Sequence, residues 1–208
     1  DCAYCPLRSD TGIRRCSLDP DEAARLFMAF RARHNLFGLF LSSGVIGTPD
    51  RTMALLNEAA DRLRRRHGYR GYIHLKLIPG ASSAAIEEAL SLASAVSLNI
   101  ETPGEQHCRR LTGRKRFLED IIEPLRLVAQ LTARGGPYAR VRTTTQFVVG
   151  ASDETDAEIV AYVGGLYQRL GLDRVYFSAY QPGLGKPGLP GDRAGAMEPA
   201  DRLRREHR

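Results

Sequence analysis

The sequence predicts an α/β fold built on a parallel sheet that curves into an incomplete barrel. Three observations point there. Short β-branched or apolar runs alternate with longer stretches of helical periodicity, at intervals of roughly 25–45 residues. Five such runs are visible, each followed by a helix or a loop. Finally, the strands are polar on one side. In "YIHLKL", His74 and Lys76 oppose Ile73, Leu75 and Leu77. In "SLNIE", Ser97, Asn99 and Glu101 oppose Leu98 and Ile100. In "VYFSAY", Tyr176, Ser178 and Tyr180 oppose Val175, Phe177 and Ala179. A parallel sheet covered by helices on both faces reads as nearly continuous apolar runs, and these strands do not. One face therefore meets helices and the other lines an enclosed polar space. A closed eight-stranded barrel fits less well, because its interior favours Val, Ile and Leu.

The elements follow in order. "SLDPDEAARLFMAFRARHN" opens with Ser17 or Asp19 as a cap, Pro20 in the first turn and acids behind it, a helix entry. "LFGLFLSSG" is a short strand ending in small residues. "TPDRTMALLNEAADRLRRRHG" is a capped helix with a basic last turn and a terminal Gly, both helix-stop signals. "YIHLKLIPG" is extended, "ASSAAIEEALSLAS" helical, and "AVSLNIETPG" extended until Pro103–Gly104. The following "RRLTGRKRF" reads as a loop. "RFLEDIIEPLRLVAQLTARGG" is helical, with Pro124 as a kink or break. "VRTTTQFVVG" is extended, "SDETDAEIVAYVGGLYQRLG" helical, and "DRVYFSAYQPG" the last strand. "GLGKPGLPGDRAGAMEP" is a Gly/Pro-rich loop, and "ADRLRREHR" begins a further helix. The chain opens with a loop and a helix that no strand precedes, so a sixth strand is expected upstream of Asp1. The domain boundaries on this reading are 1–182 for the barrel and 183–208 for the loop and the start of a helical region.

With 208 residues, 43% hydrophobic and 26% charged, the composition is that of a globular protein with a sizeable core. No apolar run approaches the roughly 18 residues that span a bilayer, so no membrane partner is expected. The formal net charge of +6 is compatible with a polyanionic partner. Four cysteines in a chain of this size argue against a disulfide scaffold. Two of them, Cys2 and Cys5, form C-x-x-C, a metal or redox pair. The plainest alternative is half of a zinc site. That site would need two more ligands from Cys16, Cys108, His34, His74 and His107, none of which forms a second tight pair.

"DCAYC" resembles the last part of C-x3-C-x2-C, the cluster motif of the radical S-adenosylmethionine (SAM) superfamily. There the residue before the final cysteine is commonly aromatic, as Tyr4 is here. The first cysteine would fall four residues before Cys2, outside this chain. The resemblance implies a partial (β/α)6 TIM-like barrel, its first strand missing from this fragment. It also implies a 4Fe–4S cluster and SAM as cofactors, a reductant as electron donor, and a cytoplasmic location. The stretches "LFLSSGVIGTPDRTM", "GYIHLKLIPGA", "SLNIETP" and "RVYFSAY" are similar to a subgroup of DNA modification or repair radical SAM proteins, related in plan to spore photoproduct lyase. In that subgroup a helix-hairpin-helix region follows the barrel, and "REHR" resembles the junction to it.

The resemblance implies site residues as well. Cys2 and Cys5 hold iron, which three thiolates bind while one iron stays open for SAM. Ser42, Ser43 and Gly44 stand where the family offers backbone oxygens to the SAM amino group, although the family's Gly-Gly-Glu pattern is not kept. Asn99 and Glu101 stand where ribose or carboxylate contacts are made, and Glu101 pairing with Lys76 is the structural alternative. Lys76 faces the cavity, while His74 below it reads as a hydrogen-bonded core histidine. In "QFVVGASD" only Gly150 matches the adenine-side motif, giving Val148 and Gly150 as adenine contacts. Arg114, Lys115 and Arg116 are read as phosphate contacts near the barrel mouth, and Tyr180 as a substrate contact or a barrel cap. The function expected is reductive SAM cleavage and hydrogen abstraction from DNA. The alternatives are RNA, protein or a small molecule as substrate, or a zinc- or nucleic-acid-binding module without catalysis.

Overall fold

The computed structural model describes residues 2–192. The helix expected at the end of the chain lies outside them. Six α-helices alternate with five strands: α1 Pro20–Arg33, β1 Gly38–Leu41, α2 Pro49–Asp61, β2 Tyr72–Lys76, α3 Ser83–Leu92, β3 Ala95–Ser97, α4 Glu105–Leu111, α5 Glu123–Thr132, β4 Arg142–Val149, α6 Asp156–Leu170 and β5 Arg174–Ala179. The five parallel strands stand in sequence order in one sheet. Parallel register is set by Phe40 opposite His74, Lys76 opposite Ser97, and Ser97 opposite Thr144. Sequential order with a helix in each connection is what successive crossover units produce.

The chain forms two compact units. One comprises Arg15–Leu98 and Pro124–Thr144, the other Asp1–Arg14, Asn99–Glu123 and Thr145–Arg208. In the first, Ile73 and Leu75 of β2 are fully buried, as are Met53 of α2 and Ile86 and Leu90 of α3. The alternate residues Tyr72, His74 and Lys76 are only half-buried, so the helices cover the apolar face of the strand, as the pattern predicted. Two local devices fix the helices. Asp19 and Glu22 close a capping box on α1. Asn57 of α2 donates to the Ala85 carbonyl at 3.0 Å and to Glu88 at 2.9 Å on α3.

Three expectations are corrected. "RRLTGRKRF" is not loop throughout: its first three residues, 109–111, close helix α4, and Gly104, at φ 108°, turns the chain sharply enough to start that helix directly after the strand segment. Pro124 does not break its helix. A wide π-turn, Phe117–Ile122, precedes α5 and absorbs the bond that a proline cannot donate. "AVSLNIE" is regular strand only over Ala95–Ser97, because Glu101 takes a left-handed backbone at φ 67°. It keeps one isolated bridge to Phe147. A second π-turn, Arg62–Arg66, ends the helix that the basic run "RLRRR" continues. Among the described residues, no helix is long and apolar enough to cross a membrane.

Candidate functional site

The cysteine loop is the first thing that the second unit holds in place. The amide of Cys5 donates to the carbonyl of Cys2 at 3.0 Å, closing a turn around Ala3 and Tyr4. Ala3 is held on both sides: its N–H donates to the Leu111 carbonyl at 2.7 Å, and its carbonyl accepts from the Lys186 N–H at 2.7 Å. Arg8 donates to the carbonyls of Cys5 at 3.1 Å and Leu184 at 3.2 Å, and pairs with Asp10. Asp10 also meets Lys186. The end of α4 and the Gly/Pro-rich loop after β5 therefore clamp the loop that carries both thiols. Cys2 and Cys5 are free and half-buried.

Around Cys2 stand Tyr4, Glu101 and Lys115. Burial pushes the Tyr4 hydroxyl well above its ordinary value, helped by the negative charges of Glu101 and Cys2, with which it also hydrogen-bonds. Burial alone would depress Lys115, but the charges of Cys2 and Glu101 and a hydrogen bond to Cys2 outweigh it and raise its pKa. Lys115 therefore stays an ammonium among groups that are negative when ionised. Cys108 nearby is pushed up to about 11, chiefly by burial; it is a buried neutral thiol. Glu101 is the only described non-glycine residue with positive φ. Its backbone is held by Glu101 N to Gln146 O at 2.9 Å and Val148 N to Glu101 O at 2.8 Å. Its Oε2 is buried with no hydrogen-bond partner. A carboxylate in a costly backbone conformation with an unmet acceptor is a mark of a functional site.

The remaining residues divide. Val148 and Gly150 lie beside this loop. Val148 belongs to an apolar cluster with Leu111, Ala151, Tyr180 and Leu189, against which Ala3 and Tyr4 pack. Gly150, at φ 87°, donates its N–H to Glu154 Oε1 at 2.6 Å. Asn99 is half-buried just after β3. Tyr180 is 4% exposed and donates to Asp192 at 3.0 Å, the capping role rather than a surface for substrate. Of the basic run, Arg109, Arg110 and Arg116 are paired to Glu105, Asp153 and Asp120. Lys115 turns to Cys2, and Arg114 is exposed. The run is thus not a continuous phosphate-facing patch. Ser42, Ser43, Gly44 and Lys76 belong to the other compact unit, at the ends of β1 and β2.

Sequence reasoning gives Lys115 a different partner and misses Glu154. Lys115 is expected to meet phosphate, because no local signal shows that the loop after α4 folds back on the cysteines; here it meets Cys2. Glu154 was passed over because it stands four residues after Gly150 instead of three; allowing one extra residue would have found it. A third knot, His107 Nδ1 with Ser152 Oγ at 2.8 Å and Nε2 with Glu158 at 3.4 Å, ties α4 to the start of α6.

The donors suit the cofactors that the motif implies. Two thiols can ligate iron, an ammonium offsets thiolate charge, and the orphaned Oε2 of Glu101 can accept from a ribose hydroxyl. Among the described residues no three or more His, Cys, Asp or Glu side chains are placed so that they could hold a metal ion together. A tetrahedral zinc site would thus need two ligands beyond Cys2 and Cys5, and a three-thiolate cluster only one.

The solved structures tell the same story of fold. The chain is similar to the crystal structure of Streptococcus suis SuiB, with TM-score 0.70 and 14% identity over 99% of this chain and 41% of that one. It is equally similar to HydG, a maturase of the [FeFe]-hydrogenase, with TM-score 0.70 and 11% identity over 99% of this chain and 45% of that one. The chain thus spans less than half the length of either. No curated protein matches the sequence. The profile of the Radical SAM superfamily matches residues 1–166, which carry the cysteine pair, Glu101, Lys115 and Gly150, and the chain belongs to that superfamily, whose cofactors are a 4Fe–4S cluster and SAM.

Proposed function

We propose that this chain is the SAM-cleaving core of an enzyme that abstracts hydrogen from DNA in a modification or repair reaction. The observation that carries the SAM-cleaving part is the grouping of Cys2, Tyr4, Glu101 and Lys115. The choice of DNA is supported by the likeness of "SLNIETP" and its companion stretches to the DNA modification and repair subgroup, and by the net charge of +6.

What the cofactor pair supplies when bound is one-electron reductive cleavage of the sulfonium, ending in methionine and a hydrogen-abstracting 5′-deoxyadenosyl group. The chain's own residues do the rest. Cys2 and Cys5 hold iron on a loop that Leu111 and Lys186 immobilise through Ala3. Lys115 offsets negative charge beside Cys2. Glu101 offers Oε2 to a ribose hydroxyl from a backbone fixed by Gln146 and Val148. Tyr4, Val148 and the Gly150 turn give an apolar wall that excludes water. Asn99, in the same compact unit, offers a further polar contact. The electron comes from a donor outside this chain.

The test is anaerobic reconstitution of the full-length protein with iron, sulfide, SAM and an oligonucleotide deuterated on its sugars and bases. Deuterium in the recovered 5′-deoxyadenosine is the expected result. Methionine and deoxyadenosine without deuterium would remove DNA as substrate. Neither product forming would remove the enzymatic reading.

A further inference from the structure

The starts of β2, β3 and β4, in the unit that does not carry the cysteines, meet at Ser94. Its N–H donates to the Ile73 carbonyl at 2.8 Å, and its carbonyl accepts from the Arg142 N–H at 3.1 Å. Its hydroxyl accepts from the Ile73 N–H at 3.2 Å and from Arg64 Nη2 at 3.3 Å. Arg64 is half-buried and ties the connections together. Its Nε donates to the Leu92 carbonyl at 2.9 Å, and its Nη1 to the carbonyls of Tyr69 at 2.9 Å and Gly71 at 2.7 Å. Those last two carbonyls flank Arg70 in the chain. Burial lowers the pKa of Arg64, Tyr69 opposes that, and the charge of Arg70 lowers it further. The two cations therefore stand within each other's field.

Arg70 and Arg142, at strand starts, and Arg134 and Arg140, on the connection into β4, are exposed. That connection is held by Tyr138 N–H to Leu131 O at 3.1 Å and Val141 N–H to Tyr138 O at 2.9 Å, so its arginines are displayed from a hydrogen-bonded loop. Glu87 meets it by accepting from the Tyr138 hydroxyl at 3.4 Å. Among the described residues none of the five guanidinium groups pairs with a carboxylate. Elsewhere the chain neutralises its arginines locally: Arg62 with Glu58, Arg65 with Asp61, Arg109 with Glu105. The dipole of α5 favours Arg134, which follows the end of that helix. It gives no such support to Arg70 and Arg142, because a sheet carries little net dipole. Like charges gathered without counter-charge repel one another, and they fit a partner that brings the anions.

We propose that the strand-start end of this unit is a contact surface for the phosphate backbone of nucleic acid, with Arg70 and Arg142 as the principal contacts and Arg134 and Arg140 beside them. The guanidinium fork matches phosphate oxygens in pairs, and contacts of this kind position a nucleic acid without reading its sequence. The inference deepens the DNA reading above, and rests on it only for the choice of nucleic acid as the polyanion.

The test is fluorescence anisotropy of a labelled DNA duplex with the full-length protein, from about 50 to 200 mM salt. Two double variants remove the same charge: Arg70→Gln with Arg142→Gln, and Arg65→Gln with Arg109→Gln, whose arginines are already ion-paired. The first should lower the slope of log affinity against log salt by about two and leave the melting temperature unchanged or higher. The second should lower the slope by less than about one. Equal slopes in the two doubles would overturn the surface, while deuterium transfer from an oligonucleotide would keep DNA as substrate. A lower slope in the first double without deuterium transfer would keep the surface and remove the substrate reading. A slope that falls only together with the melting temperature would mark the two arginines as structural and overturn the surface. Binding of phosphatidylglycerol vesicles through Arg70 and Arg142, with no binding of the duplex, would overturn nucleic acid as the partner.

Discussion

Glu101 shows what a single residue can hold. Its left-handed φ of 67° costs an acidic side chain on the order of 1 kcal/mol that glycine would not incur. Selection for stability alone would place glycine there. We expect Glu101→Gly to leave the melting temperature of the apo-protein unchanged or higher, while SAM binding measured by calorimetry weakens by about tenfold, the loss of one hydrogen-bonded charged group. A drop in melting temperature with unchanged SAM affinity would make Glu101 structural. The sequence located this residue on the cavity face but could not show its backbone, because alternation assumes a regular strand. Lys115 was illegible for a related reason. Its hydrogen-bond partner, Cys2, lies more than a hundred residues away in sequence, and no local pattern encodes a loop folding back.

At the level of elements, α6 has the most explicit local chemistry. Thr155 and Glu158 form a capping box. The backbone N–H and hydroxyl of Thr155, then His107, bring Glu158 down to about 2 from its ordinary 4.5. A carboxylate with a depressed folded value adds stability above the unfolded value, and loses it as pH falls through the folded one. The start of α6 should therefore loosen between about pH 4.5 and 2. Glu158→Gln should flatten that part of the acid-stability curve, read by circular dichroism; an unchanged curve would remove Glu158 from the account. The loop after β5 gives a second case. A Cβ on Gly185 would come 2.8 Å from the Ala3 carbonyl oxygen, the Tyr180 hydroxyl and Leu189. Gly185→Ala should cost on the order of 1–3 kcal/mol and reduce iron retained after reconstitution, whereas Gly164→Ala on α6 should leave iron content high, since nothing lies within 4 Å of its Cβ. Caps, strands and most helices were legible because they are written in contiguous residues. Helix α4 and the two π-turns were not. The first depends on one glycine's φ, and the others on how a helix accommodates a proline or packs its end.

For the molecule as a whole, charge is the property that sequence reports well in sum and badly in place. The +6 total is real, yet the densest basic run is largely spent on Glu105, Asp153 and Asp120. Binding of the full-length protein to single-stranded DNA should fall with salt. Arg109→Gln, already neutralised by Glu105, should change the slope of log affinity against log salt by much less than about one. A change of about one would return the basic run to the interface. The fold class was legible because strand polarity and helix alternation recur along the chain. The grouping of Glu101 and Lys115 on Cys2 was not, because it depends on which loops fold back on one another.

The double tether on Ala3 has a consequence for experiments. The amide of a loop residue ordinarily trades protons with water at close to the unfolded rate. Here that N–H is engaged by Leu111, and the neighbouring carbonyl by Lys186. Slow deuterium uptake at this one amide, in metal-free protein, would reveal a nest already shaped before any iron arrives.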